Sequence, residues 1–137
     1  MSYMERDTYG IYARHKKGPG PDLMGAHTLL GEDVYNHKDE HLGDIREIML
    51  DMRSGRIAYA VLAFGGIFGM GEALFAVPWS SLVLDTVNKR FLLRVDKARL
   101  KDAPGFDQND WPDMSDIEWS NSVHTFYGAE PAYDRAL

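Results

Sequence analysis

Residues 57–71 carry no charge and are bounded by Arg56 and Glu72. The run divides in two. Ile57, Tyr59 and Val61 fall on one alternating face, and Ala58, Ala60, Leu62 and Phe64 fall on the other. A strand that is apolar on both faces must be covered from both sides, which predicts a central strand over residues 56–64. Gly65, Gly66, Gly69 and Gly71 then interrupt the run. A spanning helix needs roughly 20 apolar residues. A buried strand followed by a glycine loop fits this shorter run better.

The neighbouring segments extend the same pattern. Leu29-Leu30-Gly31 and Val34-Tyr35 read as a short hairpin around Gly31, and residues 36–42 as a polar turn. In residues 43–52, Ile48, Leu50 and Met52 point one way while Met49 and Asp51 point the other. Ile45 falls out of that register, which predicts a bulge near Glu47 or an edge contact. Asp51 to Gly55 reads as a hairpin connection closed by a positive φ at Gly55. Pro78 has no N–H to donate, so its strand ends there or lies at an edge. Leu82 to Val87 and Phe91 to Val95 form a last hairpin about Asn88-Lys89. Short strands separated by turn residues predict a small barrel rather than alternating strand and helix units.

Two helices are expected after the strands. Asp96 caps a short one through Leu100, stopped at Pro104-Gly105. Ser115-Asp116-Ile117-Glu118 matches a capping box with Ser115 as the cap, and Met114 and Trp119 sit at the staple positions. Trp119, Val123, Phe126 and Tyr127 share one helical face, and Gly128 ends the helix. That face is expected against the barrel or a second subunit.

Charge and cysteine bound the function. The 137-residue chain has a formal charge of −6, which repels phosphate backbones and argues against a nucleic-acid partner. The chain has no cysteine, so disulfides, Cys-bearing zinc sites, iron–sulfur clusters and a Cys nucleophile are excluded. Arg14-His15-Lys16-Lys17 is the one dense basic run, just before Gly18-Pro19-Gly20-Pro21. It reads as a solvated tail, with a short electrostatic arm as the alternative. Residues 1–25 are expected to be a flexible leader. Met1 to Asp7 is polar and no apolar stretch follows, so the expectation is a soluble, cytoplasmic protein with no membrane span.

Four stretches carry a family resemblance. They are Leu42-Gly43-Asp44-Ile45-Arg46-Glu47-Ile48-Met49-Leu50-Asp51, Ser54-Gly55-Arg56-Ile57-Ala58-Tyr59-Ala60-Val61-Leu62, Phe64-Gly65-Gly66 and Val77-Pro78-Trp79. In order and spacing the chain resembles the PRC-barrel family. That family includes the cytoplasmic barrel of the photosynthetic reaction-centre H subunit and the C-terminal module of a ribosome maturation factor. Pro104-Gly105-Phe106-Asp107, Asp110-Trp111-Pro112 and Phe126-Tyr127-Gly128 are similar to the tails of small stand-alone bacterial members. The resemblance implies a mainly β fold: a small, highly bent antiparallel barrel over residues 26–95, with one or two short helices in an extension over residues 96–137. It also implies a scaffold that docks macromolecules and shares no reaction. The sequence leads to the expectation of no anchor like that of the H subunit and no counterpart of the ribosome factor's first domain. Neither a reaction-centre role nor RNA processing is therefore expected.

Candidate chemistry is sparse. Gly65-Gly66-Ile67-Phe68-Gly69-Met70-Gly71 fits neither the P-loop, since Glu72-Ala73 follows, nor the Rossmann spacing. It reads as a tight connection presenting Ile67 and Phe68 at a contact, and an anion cradle is the alternative. His37-Lys38-Asp39-Glu40-His41 holds two imidazoles and two carboxylates, which suit a divalent metal. Lys38 sits inside the cluster and no second cluster completes a ligand set, so it reads as a polar turn. Asp44, Glu47 and Asp51 suggest a proton-relay strip or, more simply, a solvated face. Tyr59 and Trp79 read as core or rim aromatics, and Trp111 and Trp119 as covers for a barrel end. His15, His27, His37, His41 and His124 are scattered, and Ser80-Ser81 lacks nucleophile-elbow glycines. The resulting expectation is a non-catalytic binding or assembly module without cofactor or metal. It would dock a protein partner or self-associate as a homo-oligomer, with residues 65–71 as the contact. The alternative is a small-ligand or anion sensor using that loop.

Overall fold

A computed structural model describes residues 23–64, 72–85, 87–88 and 90–129 of the chain. A single helical turn, α1 (Ala26–Leu29), leads into seven strands. They are β1 (Asp33–Tyr35), β2 (His41–Leu50), β3 (Ile57–Phe64), β4 (Ala73–Pro78), β5 (Leu82–Asp85), β6 (Arg90–Leu93) and β7 (Gly105–Phe106). One full helix, α2 (Ile117–Tyr127), ends the described chain. The strand order across the sheet is β5-β6-β1-β2-β3-β4-β7.

The mainly β expectation holds, with two corrections. The sheet is mixed, because β1 runs parallel to β6 while the other ladders are antiparallel. It is also not closed: β5 and β7 end the order, and no ladder joins them among the described residues. Curvature is nonetheless imposed by burial. Val34, Ile45, Leu62, Val77 and Phe91 come from five different strands and fall in one buried cluster. A single sheet face can bring them together only by curling around them, at about 25 cal/mol for each Å² of apolar surface removed from water.

β3 is central and covered on both sides. Ala60, Leu62 and Phe64 enter the main cluster, while Tyr59, Val61 and Ala63 face smaller clusters on the opposite side. This is the alternation read from the sequence. On β2 the register slips between Ile45 and Glu47, so Arg46 is the extra residue of a bulge. Gly43 makes the bend just before it possible. Its φ is +143°, and an added Cβ would run into the carbonyl oxygen of Ala63. The hairpin after β2 closes through Gly55 at φ +77°, whose N–H donates to the Asp51 carbonyl at 2.8 Å.

Three local expectations are corrected. Leu29 belongs to α1 and not to a hairpin strand. Its turn is followed by Gly31, whose N–H donates to the Ile45 carbonyl at 2.7 Å and so leads the chain onto β2. The short helix expected from Asp96 is a 3-10 turn over Arg99–Asp102. The cap of α2 is Asp116, whose carboxylate accepts from the Glu118 N–H at 3.0 Å. Ser115 turns away and donates to Asp113 at 2.6 Å. A carboxylate placed at a helix start both accepts the orphan N–H and favours the positive end of the dipole, which is why Asp116 takes the role. At the other end the Gly128 and Ala129 N–H groups donate to the Thr125 and His124 carbonyls, closing the helix as expected.

Candidate docking groove

The glycine loop Gly65, Gly66, Ile67, Phe68, Gly69, Met70 and Gly71 lies outside the described residues. Its stem is described: Phe64 pairs with Ala73, and the Phe64 ring meets Phe75 edge-on at 5.4 Å. Beside that stem the bulged Arg46 grips Glu72 with two hydrogen bonds of 2.8 and 2.7 Å. Each ion favours the charged form of the other. The hydrogen bond to Glu72 raises the Arg46 pKa, and the one from Arg46 lowers that of Glu72.

The other flagged residues disperse. The His41 imidazole lies 3.1 Å from Asp33, while His37 sits 3.9 Å from Asp96. Among the described residues no three His, Asp or Glu side chains are grouped to hold a metal ion. Glu47 accepts from the next residue's N–H and Asp51 from that of Arg53, while Asp44 lies 3.8 Å from Arg46. Trp79 leans on Phe91, and Trp111 tilts against Phe106. No helix among the described residues is long and apolar enough to cross a membrane.

What the fold assembles instead is an apolar groove of about 750 Å³ between the β2–β3 hairpin and the start of α2. Met49, Leu50 and Met52 line it from the hairpin, and Met114 and Ile117 from the helix side. Leu50, Met52 and Ile117 are 54%, 85% and 68% exposed. They are three of the seven large apolar side chains exposed among the described residues, and the groove brings these three together. Methionine's unbranched thioether adapts to irregular partners, which suits such a wall.

The floor is polar and pinned. Buried Tyr59 and Ser120 lie hydroxyl to hydroxyl at 3.1 Å, tying β3 to α2. His124 completes the cluster, and its ring meets the Tyr59 ring edge-on. The three side chains form no nucleophile–base pair. The His124 Nδ1 lies 2.7 Å from the Ser120 carbonyl oxygen, which only accepts, so Nδ1 carries the proton. That nitrogen is also the one nearest the Ser120 hydroxyl, at 3.4 Å. It cannot take the serine's proton, and the cluster fastens the helix to the sheet.

A second hollow, about 340 Å³, is lined in part by His37, Ser81, Arg94 and Tyr127. The Tyr127 hydroxyl is buried with no hydrogen-bond partner among the described residues. Burial pushes its pKa far above the ordinary tyrosine value, so it stays protonated.

Sequence reasoning missed the groove. The available signal was the pair Leu50 and Met52, apolar residues in the approach to a hairpin turn where polar ones are usual. Its second wall comes from residues more than fifty positions later, which no local pattern connects.

Comparison with known proteins follows the same division. The PRC-barrel domain family model matches residues 21–100. No curated protein matches the chain. The match covers the hairpin wall of the groove and stops before Met114, Ile117 and Ser120. More than half of the chain lies within the match, and its mixed, curled sheet is that of a β-rich domain: the chain belongs to the PRC-barrel domain family.

Proposed function

We propose that this chain is a non-catalytic docking module that holds a protein segment in the groove between the β2–β3 hairpin and α2. The observation that carries the reading is the gathering of Leu50, Met52 and Ile117, all more than half exposed, on one open apolar groove. An exposed apolar surface of this kind costs solubility unless something covers it. The family scaffold, which docks macromolecules in its other settings, supports the same reading. Residues 65–71 provide a second contact, with Ile67 and Phe68 serving self-association.

The test uses the full chain and two paired substitutions. Met52→Asp with Ile117→Asp should remove partners captured from the native cell while the thermal transition stays in place, because both side chains are exposed. Ile67→Asp with Phe68→Asp should lower the mass seen in sedimentation. Identical capture and identical mass for all proteins would refute the docking reading. Saturable thermal stabilisation by one anion or nucleotide would instead favour a ligand sensor.

A further inference from the structure

We propose that the groove is occupied in cis by the chain's own basic N-terminal segment, residues 9–17, which a partner must displace. This rests on the docking reading and adds its regulation. Charge favours this occupant. From Asp102 to Ala129 the chain has no lysine or arginine, and Asp107, Asp110, Asp113, Asp116 and Glu118 are all exposed on the segment that leads into and begins α2, while the groove lining itself carries one acid and one base, Asp51 and Arg53. The hydrogen bond from the Ser115 side chain lowers the Asp113 pKa, favouring its charged form. Residues 8–21 are the reverse: they contain Arg14, Lys16 and Lys17 and no acid.

The apolar pattern of the segment fits the groove as well. Tyr9, Ile11 and Tyr12 immediately precede the basic run, so one short segment offers apolar groups for the groove and cations for its rim. Rigid aromatic anchors beside a charged rim are the usual energetic centre of such contacts. The segment is also long enough to reach. Tyr12 is eleven residues before Leu23, the first described residue, so it can lie up to about 36 Å away. A domain of this size is about 35 Å across. Gly18-Pro19-Gly20-Pro21 lies within that tether, and proline disfavours a helix interior.

The chain's lack of cysteine makes the test clean. Three full-length double variants are compared: Ile11→Cys with Ile117→Cys, Ile11→Cys with Met52→Cys, and the control Ile11→Cys with Val83→Cys. Val83 is exposed on β5, at the far edge of the sheet from the groove. Under mild oxidation the two groove pairs should cross-link at least about tenfold faster than the control, as monomers. The excess should fall at ionic strength near 1 M, where the Debye length is only about 3 Å. It should also fall in an Asp110→Lys, Glu118→Lys background.

Equal rates for groove and control pairs overturn the proposal. A product found only as cross-linked dimer also overturns it, in favour of a second copy as the occupant. The two readings fail separately. If Met52→Asp with Ile117→Asp abolishes partner capture while the groove pairs cross-link no faster than the control, docking stands and self-occupancy falls. If the groove pairs cross-link preferentially but capture is unchanged, the segment sits there and partner docking falls.

Discussion

The Tyr59 hydroxyl meets the Ser120 hydroxyl at 3.1 Å in a buried contact between residues sixty-one positions apart. This bond joins the outer face of the central strand to the helix that forms one wall of the groove. Around it Trp119 packs edge-on against the Tyr59 ring at 5.4 Å, and Val123 is fully buried. Tyr59→Phe and Ser120→Ala should each lower stability by about 1–2 kcal/mol, since each leaves one buried hydroxyl without its partner. Chemical denaturation of the single and double variants checks this. The double variant should cost less than the sum of the singles, and additive losses would show that the bond contributes nothing.

Asn36 anchors the connection between β1 and β2. It is fully buried, and its amide makes four hydrogen bonds. Nδ2 donates to the Glu40 carboxylate and the Val95 carbonyl, and Oδ1 accepts from the Lys38 and Glu40 N–H groups. Asn36→Ala strips four partners at once and should cost roughly 2–4 kcal/mol. The hydrogen bond from Asn36, followed by that from the Lys97 N–H, holds the Glu40 pKa below its ordinary value. The sign follows from linkage: Glu40 adds stability above the ordinary carboxyl range and loses it as pH falls through its lowered native value. Denaturation midpoints across acidic pH should therefore fall less steeply in Asn36→Ala than in the wild type. Parallel profiles would remove the Asn36–Glu40 bond from the account.

Tyr127 carries the alkaline counterpart. Its hydroxyl, which has no hydrogen-bond partner among the described residues, is kept neutral by burial in the folded chain, whereas in the unfolded chain it ionises near 10. A native pKa raised in this way contributes stability that is complete below pH 10 and is lost as pH climbs above it. Tyr127→Phe removes both the ionisation and the unsatisfied hydroxyl. It should be neutral or stabilising by up to about 1 kcal/mol at pH 7, and should resist alkaline unfolding. Circular dichroism followed from pH 8 to pH 12 checks the second effect, and an unchanged alkaline midpoint would place the liability elsewhere.

Much of the fold was legible residue by residue. The two-faced alternation of Ile57 to Phe64 predicted a covered central strand because side-chain direction in a strand depends only on parity. The misfit of Ile45 located the bulge, Gly55 the hairpin and Gly128 the end of the helix, since each is a local steric requirement. Ser115 was a nearer miss: a serine and an aspartate side by side both cap helices, and only the surrounding chain path selects one.

The amino-acid order by itself determined most of the strands, the turn glycines, the amphipathic helix and the family, because periodicity and local backbone sterics act over a few neighbouring residues. Tertiary structure alone decided that β1 runs parallel to β6, that no ladder joins β5 to β7 among the described residues, and that α2 lies across β3 and β4 to form a groove with a distant hairpin. Those outcomes depend on which apolar faces meet across long separations, and no stretch of chain contains that information locally.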